Sequence, residues 1–119
     1  MKKTVKLTKL ECEYLLTNAE MQSCIGYWVE EFIDMKYSTI TKPDYRLLSL
    51  TVKLGEDAPT GFENTTVTID HKTIQKGINV LFSLDGYESI KSAIIEDDSD
   101  IETTDVIIQL GMFGGVIYG

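Results

Sequence analysis

One histidine and two cysteines are the residues best suited to form a nucleophilic pair. His71 is the only histidine, and Cys12 and Cys24 are the only cysteines. Such a pair needs a thiolate beside the imidazole. Both cysteines occupy apolar positions of the pattern, however, and His71 follows Asp70 in the first turn of a helical segment. We interpret the cysteines as reduced structural thiols and His71 as solvated, and we predict no catalytic residues and no enzymatic activity.

The acidic segment over residues 96–102, "EDDSDIE", resembles the start of a calcium loop, because its carboxylates alternate along the chain. Counted from Asp98, the sixth position of that loop should be glycine and the twelfth a bidentate acid. Those positions are Thr103 and Gln109. The glycines form no phosphate-binding loop either. The sequence therefore predicts neither a metal ion nor a cofactor.

The charge of the chain disfavours direct binding of nucleic acid. The formal net charge is −8, and Arg46 is the only arginine. Four lysines, Lys2, Lys3, Lys6 and Lys9, lie in the first ten residues, which contain no acid. The rest of the chain is strongly acidic, which favours basic partners, including protein surfaces that normally hold phosphates. The alternative is that the charge only keeps the protein soluble.

Two groups of carboxylates are the candidate partner-binding residues. If the fold places both groups on one side, they form a negative strip that can occupy a site for nucleic-acid phosphates. The alternative is two independently solvated edges. The candidate residues are Glu30, Glu31, Asp34, Glu96, Asp97, Asp98, Asp100 and Glu102.

The first part of the chain predicts a helix followed by a strand. Thr8 and Glu11 have the spacing of a capping box, and apolar residues at helical spacing extend the helix over residues 8–21. Residues 27–37 are rich in aromatic and β-branched side chains, which favours a strand. A helix over residues 28–35 is the competing interpretation.

The middle of the chain predicts two further strands. Pro43 and Asp44 interrupt the chain, and residues 45–54 then alternate apolar and polar side chains. After a segment of turn composition, residues 65–69 form a short strand, antiparallel to the one before. The predicted strands together form a small antiparallel sheet.

The last third of the chain predicts helices. Asp70 caps a helix over residues 71–84, and Gly77 inside it costs about 1 kcal/mol relative to alanine, which indicates close packing at that position. Residues 87–95 form a shorter helix. Ser99 and Glu102 suggest a second capping box.

The chain closes with "DVIIQLGMFGGVIYG", which carries one charge, Asp105. The last helix covers residues 100–113, with apolar residues nearly all round, and Gly114 ends it. Its apolar run is far shorter than the roughly 20 residues that a bilayer requires. We predict burial of this segment, with residues 116–118 packed back on the domain; an exposed contact surface is the alternative. The whole chain is then one compact α+β domain, a small antiparallel sheet of about three strands packed with three or four helices, in the order α-β-β-β-α-α-α.

Three separated motifs together resemble a family of small acidic bacteriophage proteins of unknown function. They are "CIGYW" at residues 24–28, a "TIxxGI" helix carried by Thr73, Ile74, Gly77 and Ile78, and the closing residues 105–119. The chain departs from the family pattern at Cys24 and Gly115. The resemblance implies phage origin and no particular activity.

These observations together predict a phage-encoded inhibitor in the cytoplasm of the bacterial host. It would bind a host nucleic-acid-handling or defence protein, such as a CRISPR effector, by mimicking nucleic acid. The start of the chain lacks the apolar stretch of a signal peptide, and we expect no membrane contact. One alternative is a structural or adaptor protein that forms a homodimer. The other is a nucleotide-binding module, whose candidate cations are Arg46, Lys53, Lys72 and Lys76.

Overall fold

A three-stranded antiparallel sheet in the order β1-β2-β3 lies beside a group of helices. The computed structural model describes residues 5–38 and 45–119, so the turn predicted at Pro43 and Asp44 lies outside the described residues. The described elements are α1 (Lys9–Asn18), α2 (Met21–Ile25), β1 (Glu31–Tyr37), β2 (Leu47–Lys53), β3 (Thr66–Asp70), α3 (His71–Ser83), α4 (Glu88–Ile95) and α5 (Ile101–Phe113). This is the predicted α+β domain and element order, with the five-residue α2 added.

Most of the buried residues of the sheet lie on its central strand, β2. Leu50 lies opposite Ile69, and Val52 lies opposite Val67, in the antiparallel register of β2 and β3. Leu50, Val52 and Ile69 are buried, while the intervening residues of β2 are only partly covered. The period-two pattern therefore predicted the buried face correctly from Leu50 to Leu54, but at the start of the strand Leu47 is buried in place of Leu48. Strand β1 lies at one edge, and two irregularities interrupt its register with β2.

Helices α1 and α3 begin at the predicted caps. The Thr8 hydroxyl accepts a hydrogen bond from the backbone N–H of Glu11 at 3.1 Å, and the Glu11 carboxylate accepts one from the N–H of Thr8 at 2.8 Å. The Asp70 carboxylate accepts a bond from the N–H of Lys72 at 2.9 Å. Each cap satisfies N–H groups that the first helical turn leaves unpaired.

The predicted first helix over residues 8–21 is divided into two. Helix α1 ends at Asn18, and Glu20 has a φ of 51°, in the left-handed region that interrupts a right-handed helix. The chain then starts again as α2. Strand β1 correspondingly begins at Glu31 rather than near residue 27, because the chain continues α2 as a turn through residue 28. The competing helix over residues 28–35 is wrong.

The predicted capping box of Ser99 and Glu102 is also wrong. Helix α5 begins one residue later, and its N-cap is Asp100. One Asp100 oxygen accepts hydrogen bonds from the backbone N–H of Thr103 at 2.9 Å and from its hydroxyl at 3.0 Å. An ionised carboxylate is a stronger acceptor than the neighbouring hydroxyl, which explains why the helix begins at the aspartate.

Helices α3 and α5 cross in direct backbone contact. A Cβ added at Gly77 would lie 2.0 Å from the carbonyl oxygen of Ile107, and one added at Gly111 would lie 2.1 Å from that of Thr73. Only glycine fits at such a distance. The close packing predicted at Gly77 is confirmed, and a second glycine on the opposite helix completes it.

An ion pair that the sequence analysis did not predict ties α1 to β2. Nε of Arg46 donates to Oε1 of Glu13 at 3.1 Å, and Glu13 is only 3% exposed. Next to it, the backbone N–H of Leu47 donates to the Thr17 hydroxyl at 2.8 Å. The negative charge of Glu13 is buried only because the arginine accompanies it.

Candidate functional site

The turn between α4 and α5 concentrates negative charge on the surface. We call its five acidic residues the acidic loop. All five are exposed, and they fall within seven positions of the chain: Glu96, Asp97, Asp98, Asp100 and Glu102.

Backbone hydrogen bonds hold the acidic loop in shape. The N–H of Asp98 donates to the carbonyl of Ala93 at 2.8 Å, which closes the end of α4. Asp97 has a φ of 54°, so the chain turns through the left-handed region there. Asp100 then caps α5, and its bonds from Thr103 lower the pKa of its carboxyl group. The loop is thus an ordered turn whose Asp100 carboxylate is ionised at neutral pH.

The carboxylates of the acidic loop have no cationic neighbour at ion-pair distance among the described residues. The ion pairs there are Arg46 with Glu13 and Lys53 with Glu30. Within residues 5–38 and 45–119, no ion pair therefore offsets the negative charge of the loop.

The second predicted cluster, Glu30, Glu31 and Asp34, differs in its electrostatics. All three residues are exposed at the edge of the sheet. Nζ of Lys53 lies 3.3 Å from Oε2 of Glu30, and Lys53 also lies opposite Glu31 in the register of β1 and β2. One positive charge on the neighbouring strand therefore offsets part of this cluster's negative charge.

The two clusters line different grooves. Asp97 and Asp100 line a groove beside α1 together with Glu11. Glu30 lines a second groove together with Asp57 and aromatic side chains. The single negative strip over all eight residues stays a prediction, and the acidic loop is the part of it with no ion pair to a described residue.

A buried carboxylate that the sequence analysis did not assign to a site organises the interior behind these surfaces. Asp105 on α5 accepts a hydrogen bond from Nε1 of Trp28 at 2.9 Å and from the Tyr27 hydroxyl at 2.5 Å. Nε2 of Gln109, one turn further along α5, donates to Asp105 at 3.0 Å. Three donors thus stabilise the charge of Asp105, which is 9% exposed.

The same network holds the end of the chain. Oε1 of Gln109 accepts from the backbone N–H groups of Ile117 and Tyr118, and Nε2 donates to the carbonyl of Tyr118 at 3.1 Å. The Tyr118 ring stacks on Trp28 with centroids 5.4 Å apart and planes at 3°. Val116 and Tyr118 pack back on the domain, as predicted, whereas Ile117 is 52% exposed.

This network is suited to structure rather than to proton transfer. More than half of Tyr27 is exposed, at 58%, but its hydroxyl points inward to Asp105. Desolvation and the bond to Asp105 raise the pKa of Tyr27 to about 12, so the phenol keeps its proton at neutral pH. The network joins "CIGYW" to the closing residues 105–119, two of the three motifs that carry the phage resemblance.

Both cysteines are free and buried, in agreement with their predicted structural role. Burial raises the pKa of Cys12 to about 11 and that of Cys24 to about 12. The Cys24 thiol donates a hydrogen bond to the carbonyl of Ile101 at 3.2 Å. Neither thiol is a nucleophile at neutral pH, since the thiolate is the reactive form.

Residues 5–38 and 45–119 contain neither a metal-binding cluster nor a membrane-spanning helix. Within these residues, no group of three or more His, Cys, Asp and Glu side chains is arranged to hold a metal ion. No helix in the same ranges has the length and apolar character needed to cross a membrane.

Comparison of the chain with known protein families, with curated proteins and with solved structures found no match.

Proposed function

We propose that this protein is a phage-encoded inhibitor that binds a basic surface of a host protein through its acidic loop. The target is a nucleic-acid-handling or defence protein, such as a CRISPR effector, in the cytoplasm of the bacterial host. The protein acts by binding rather than by catalysis. The observation that carries the proposal is the set of five exposed carboxylates at residues 96–102, with no cation at ion-pair distance in the described part of the chain.

Electrostatics explains why such a loop suits this role. Carboxylates a few residues apart on an ordered turn present negative charges to cationic side chains that otherwise contact phosphates. Complementary charges speed association and disfavour acidic partners. Exposed pairs are screened over about 8 to 10 Å at 0.1 to 0.15 M salt, so binding of this kind weakens as salt increases.

The test compares two variants with the same change in charge. The loop variant carries Glu96→Gln, Asp98→Asn and Glu102→Gln, which spares the cap at Asp100. The control variant carries Glu56→Gln, Asp85→Asn and Glu88→Gln, at exposed positions outside the loop. The tagged proteins are used to capture targets from host lysate, and the dissociation constant of each purified target is then measured against salt.

We expect the wild type and the control variant to bind the same target with an affinity that falls steeply with salt. The loop variant should bind it weakly. Equal binding by both variants, or a dissociation constant unchanged between low salt and 0.5 M, would show that the acidic loop does not drive binding.

A specific observation favours homo-oligomerisation as the second candidate. Edge strand β1 exposes Ile33 at 48% and Tyr37 at 40%, and the Tyr37 ring stacks on exposed Tyr45 at 4.8 Å. Apolar side chains on an edge strand can pair with a second copy. Sedimentation of the wild type and of Ile33→Lys distinguishes this possibility, because a β1 dimer dissociates in the variant.

A nucleotide-binding module has less support. Of its four candidate cations, Arg46 is engaged by Glu13 and Lys53 by Glu30. An anionic nucleotide would have to displace these carboxylates.

A further inference from the structure

A groove of about 760 Å³ lies between α1, the segment before it and the turn that joins α4 to α5. We call it the α1 groove. Its volume is within the range of small-ligand sites, roughly 300 to 1,000 Å³. The acidic loop forms one of its walls, so the groove adjoins the surface proposed above to contact the partner.

Apolar side chains form about half of the lining of the α1 groove. Val5 and Leu7 contribute from the segment before α1, Leu15 and Ala19 from the α1 side, and Ile94 from α4. Ala19 and Ile94 belong to the buried core, and the other three pack against it. An occupant therefore gains by placing hydrocarbon here.

Carboxylates from two separate elements line the same groove. Glu11 comes from the first turn of α1, and Asp97 and Asp100 come from the acidic loop. None of these three makes an ion pair with a described residue, and no lysine or arginine is among the described residues that line the groove. The groove thus combines apolar side chains with carboxylates that form no ion pair within the described part of the chain.

We infer that the α1 groove receives an arginine side chain of the basic partner, an inference that rests on the proposed function. The three-carbon stem of arginine lies against the apolar side chains of the groove, and the guanidinium meets the carboxylates of Glu11, Asp97 and Asp100. Arginine suits this arrangement better than lysine because its planar, weakly hydrated head donates in several directions at once. A charge pair in a partly enclosed groove is also less screened by salt than one on the open loop.

The first experiment tests the groove without any host protein. The probe is the peptide acetyl-Leu-Arg-Leu-amide, titrated into the labelled full-length chain and followed by backbone amide NMR spectra. Two analogues replace arginine by citrulline, which keeps the shape without the charge, or by norleucine, which keeps only the hydrocarbon stem. We expect the arginine peptide to shift the amides of Asp97, Ser99 and Asp100 and to bind at least about tenfold more tightly than either analogue.

Three substitutions remove the groove's charge while keeping the local structure. Glu11→Gln retains a capping-box side chain, Asp100→Asn retains a good N-cap, and Asp97→Asn keeps a residue that tolerates the left-handed φ of 54°. This groove variant should lose at least about tenfold in affinity for the arginine peptide. The control variant, with three exposed carboxylates replaced elsewhere, should bind it like the wild type.

The outcomes distinguish failure of the arginine site from failure of the proposed function. Equal binding of the arginine and citrulline peptides, shifts outside the groove, or unchanged binding by the groove variant would overturn the arginine site. So would capture of a host target by the groove variant as efficient as by the wild type, when the loop variant loses that target. In that last case the proposed function is supported and the assignment of an arginine site to the α1 groove is wrong. Loss of the same target by the groove variant, together with arginine-selective shifts, supports both.

Discussion

The side chain of Gln109 pairs with the backbone of Tyr118 as a neighbouring strand would. Its Oε1 accepts from the Tyr118 N–H at 2.8 Å, and its Nε2 donates to the Tyr118 carbonyl at 3.1 Å. Gln109 is fully buried, and its bonds to the tail are partly shielded from competing water. The last residues of the chain are therefore attached to the core through one amide.

Replacing this amide should loosen the tail and destabilise the domain. Gln109→Ala removes the acceptor for the N–H groups of Ile117 and Tyr118 and one donor to Asp105. A buried group left without a partner costs about 1 to 3 kcal/mol, and water can reach the partly buried tail N–H groups, so we expect a loss of roughly 1 to 3 kcal/mol in the free energy of unfolding. Denaturant unfolding measures it, with Gln22→Ala, at an exposed position, as the control. A loss equal to the control's would contradict the proposed attachment.

Cavity formation in α5 tests whether the closing segment belongs to the core. Leu110 is fully buried, and Leu110→Ala should cost roughly 2 to 5 kcal/mol. Phe113 is only partly buried but contacts Trp28 and Phe62 edge-on, at 5.7 and 5.0 Å, so Phe113→Ala should also destabilise the domain. Thermal melting of both variants is the measurement. Unchanged melting temperatures with loss of partner binding would make the segment a contact surface instead.

Local patterns predicted the parts of this fold that depend on neighbours in the chain. The caps at Thr8 and Asp70 and the alternation of β2 each involve residues a few positions apart. The bond of Trp28 to Asp105 joins residues 77 positions apart, and no spacing rule connects them. A polar pair one helical turn apart, Asp105 and Gln109, in the otherwise apolar second part of α5 was the available signal.

The candidate site likewise has one part that was predictable from neighbouring residues and one part that depends on distant residues. The acidic loop was visible as a run of charges, because its residues are consecutive or nearly so. The α1 groove was not, because it forms only when the chain around Val5 and Leu7 meets the turn that joins α4 to α5. The pairing of Glu30 with Lys53 likewise depends on the register of two strands.

The crossing of α3 and α5 predicts an unusual response to alanine. In an ordinary helix, replacing glycine by alanine gains about 1 kcal/mol. At Gly77 the new Cβ would meet the carbonyl oxygen of Ile107 at 2.0 Å, so the helices must separate, at a cost of roughly 1 to 3 kcal/mol or more. We expect Gly77→Ala to lower the melting temperature. Gly115→Ala, where no atom lies within 4 Å of the added Cβ, is the matched control and should change stability by less than about 0.5 kcal/mol.

Thiol reactivity tests the burial of the two cysteines. Because burial raises the pKa of Cys12 to about 11 and that of Cys24 to about 12, hardly any thiolate exists at pH 8 in the folded protein. A thiol-specific disulfide reagent should react with neither residue in the native state and with both in denaturant. Rapid modification of one cysteine under native conditions would show that its surroundings open to solvent.

Alkaline titration tests the hydrogen bond between Tyr27 and Asp105. The pKa of Tyr27 is raised from 10.0 to about 12, first by desolvation and then by its bond to the Asp105 carboxylate, which disfavours a second negative charge. Because the folded pKa exceeds the unfolded one, the stabilisation is complete below pH 10 and is lost as the pH rises from about 10 to 12. The difference in phenolate absorbance between the wild type and Tyr27→Phe isolates this residue from Tyr45 and Tyr118, whose pKa values are also raised. The free energy of unfolding of the wild type should therefore fall more steeply above pH 10 than that of Tyr27→Phe. A difference titration centred at pH 10, with parallel stability curves, would mean that the phenol does not bond to Asp105 in solution.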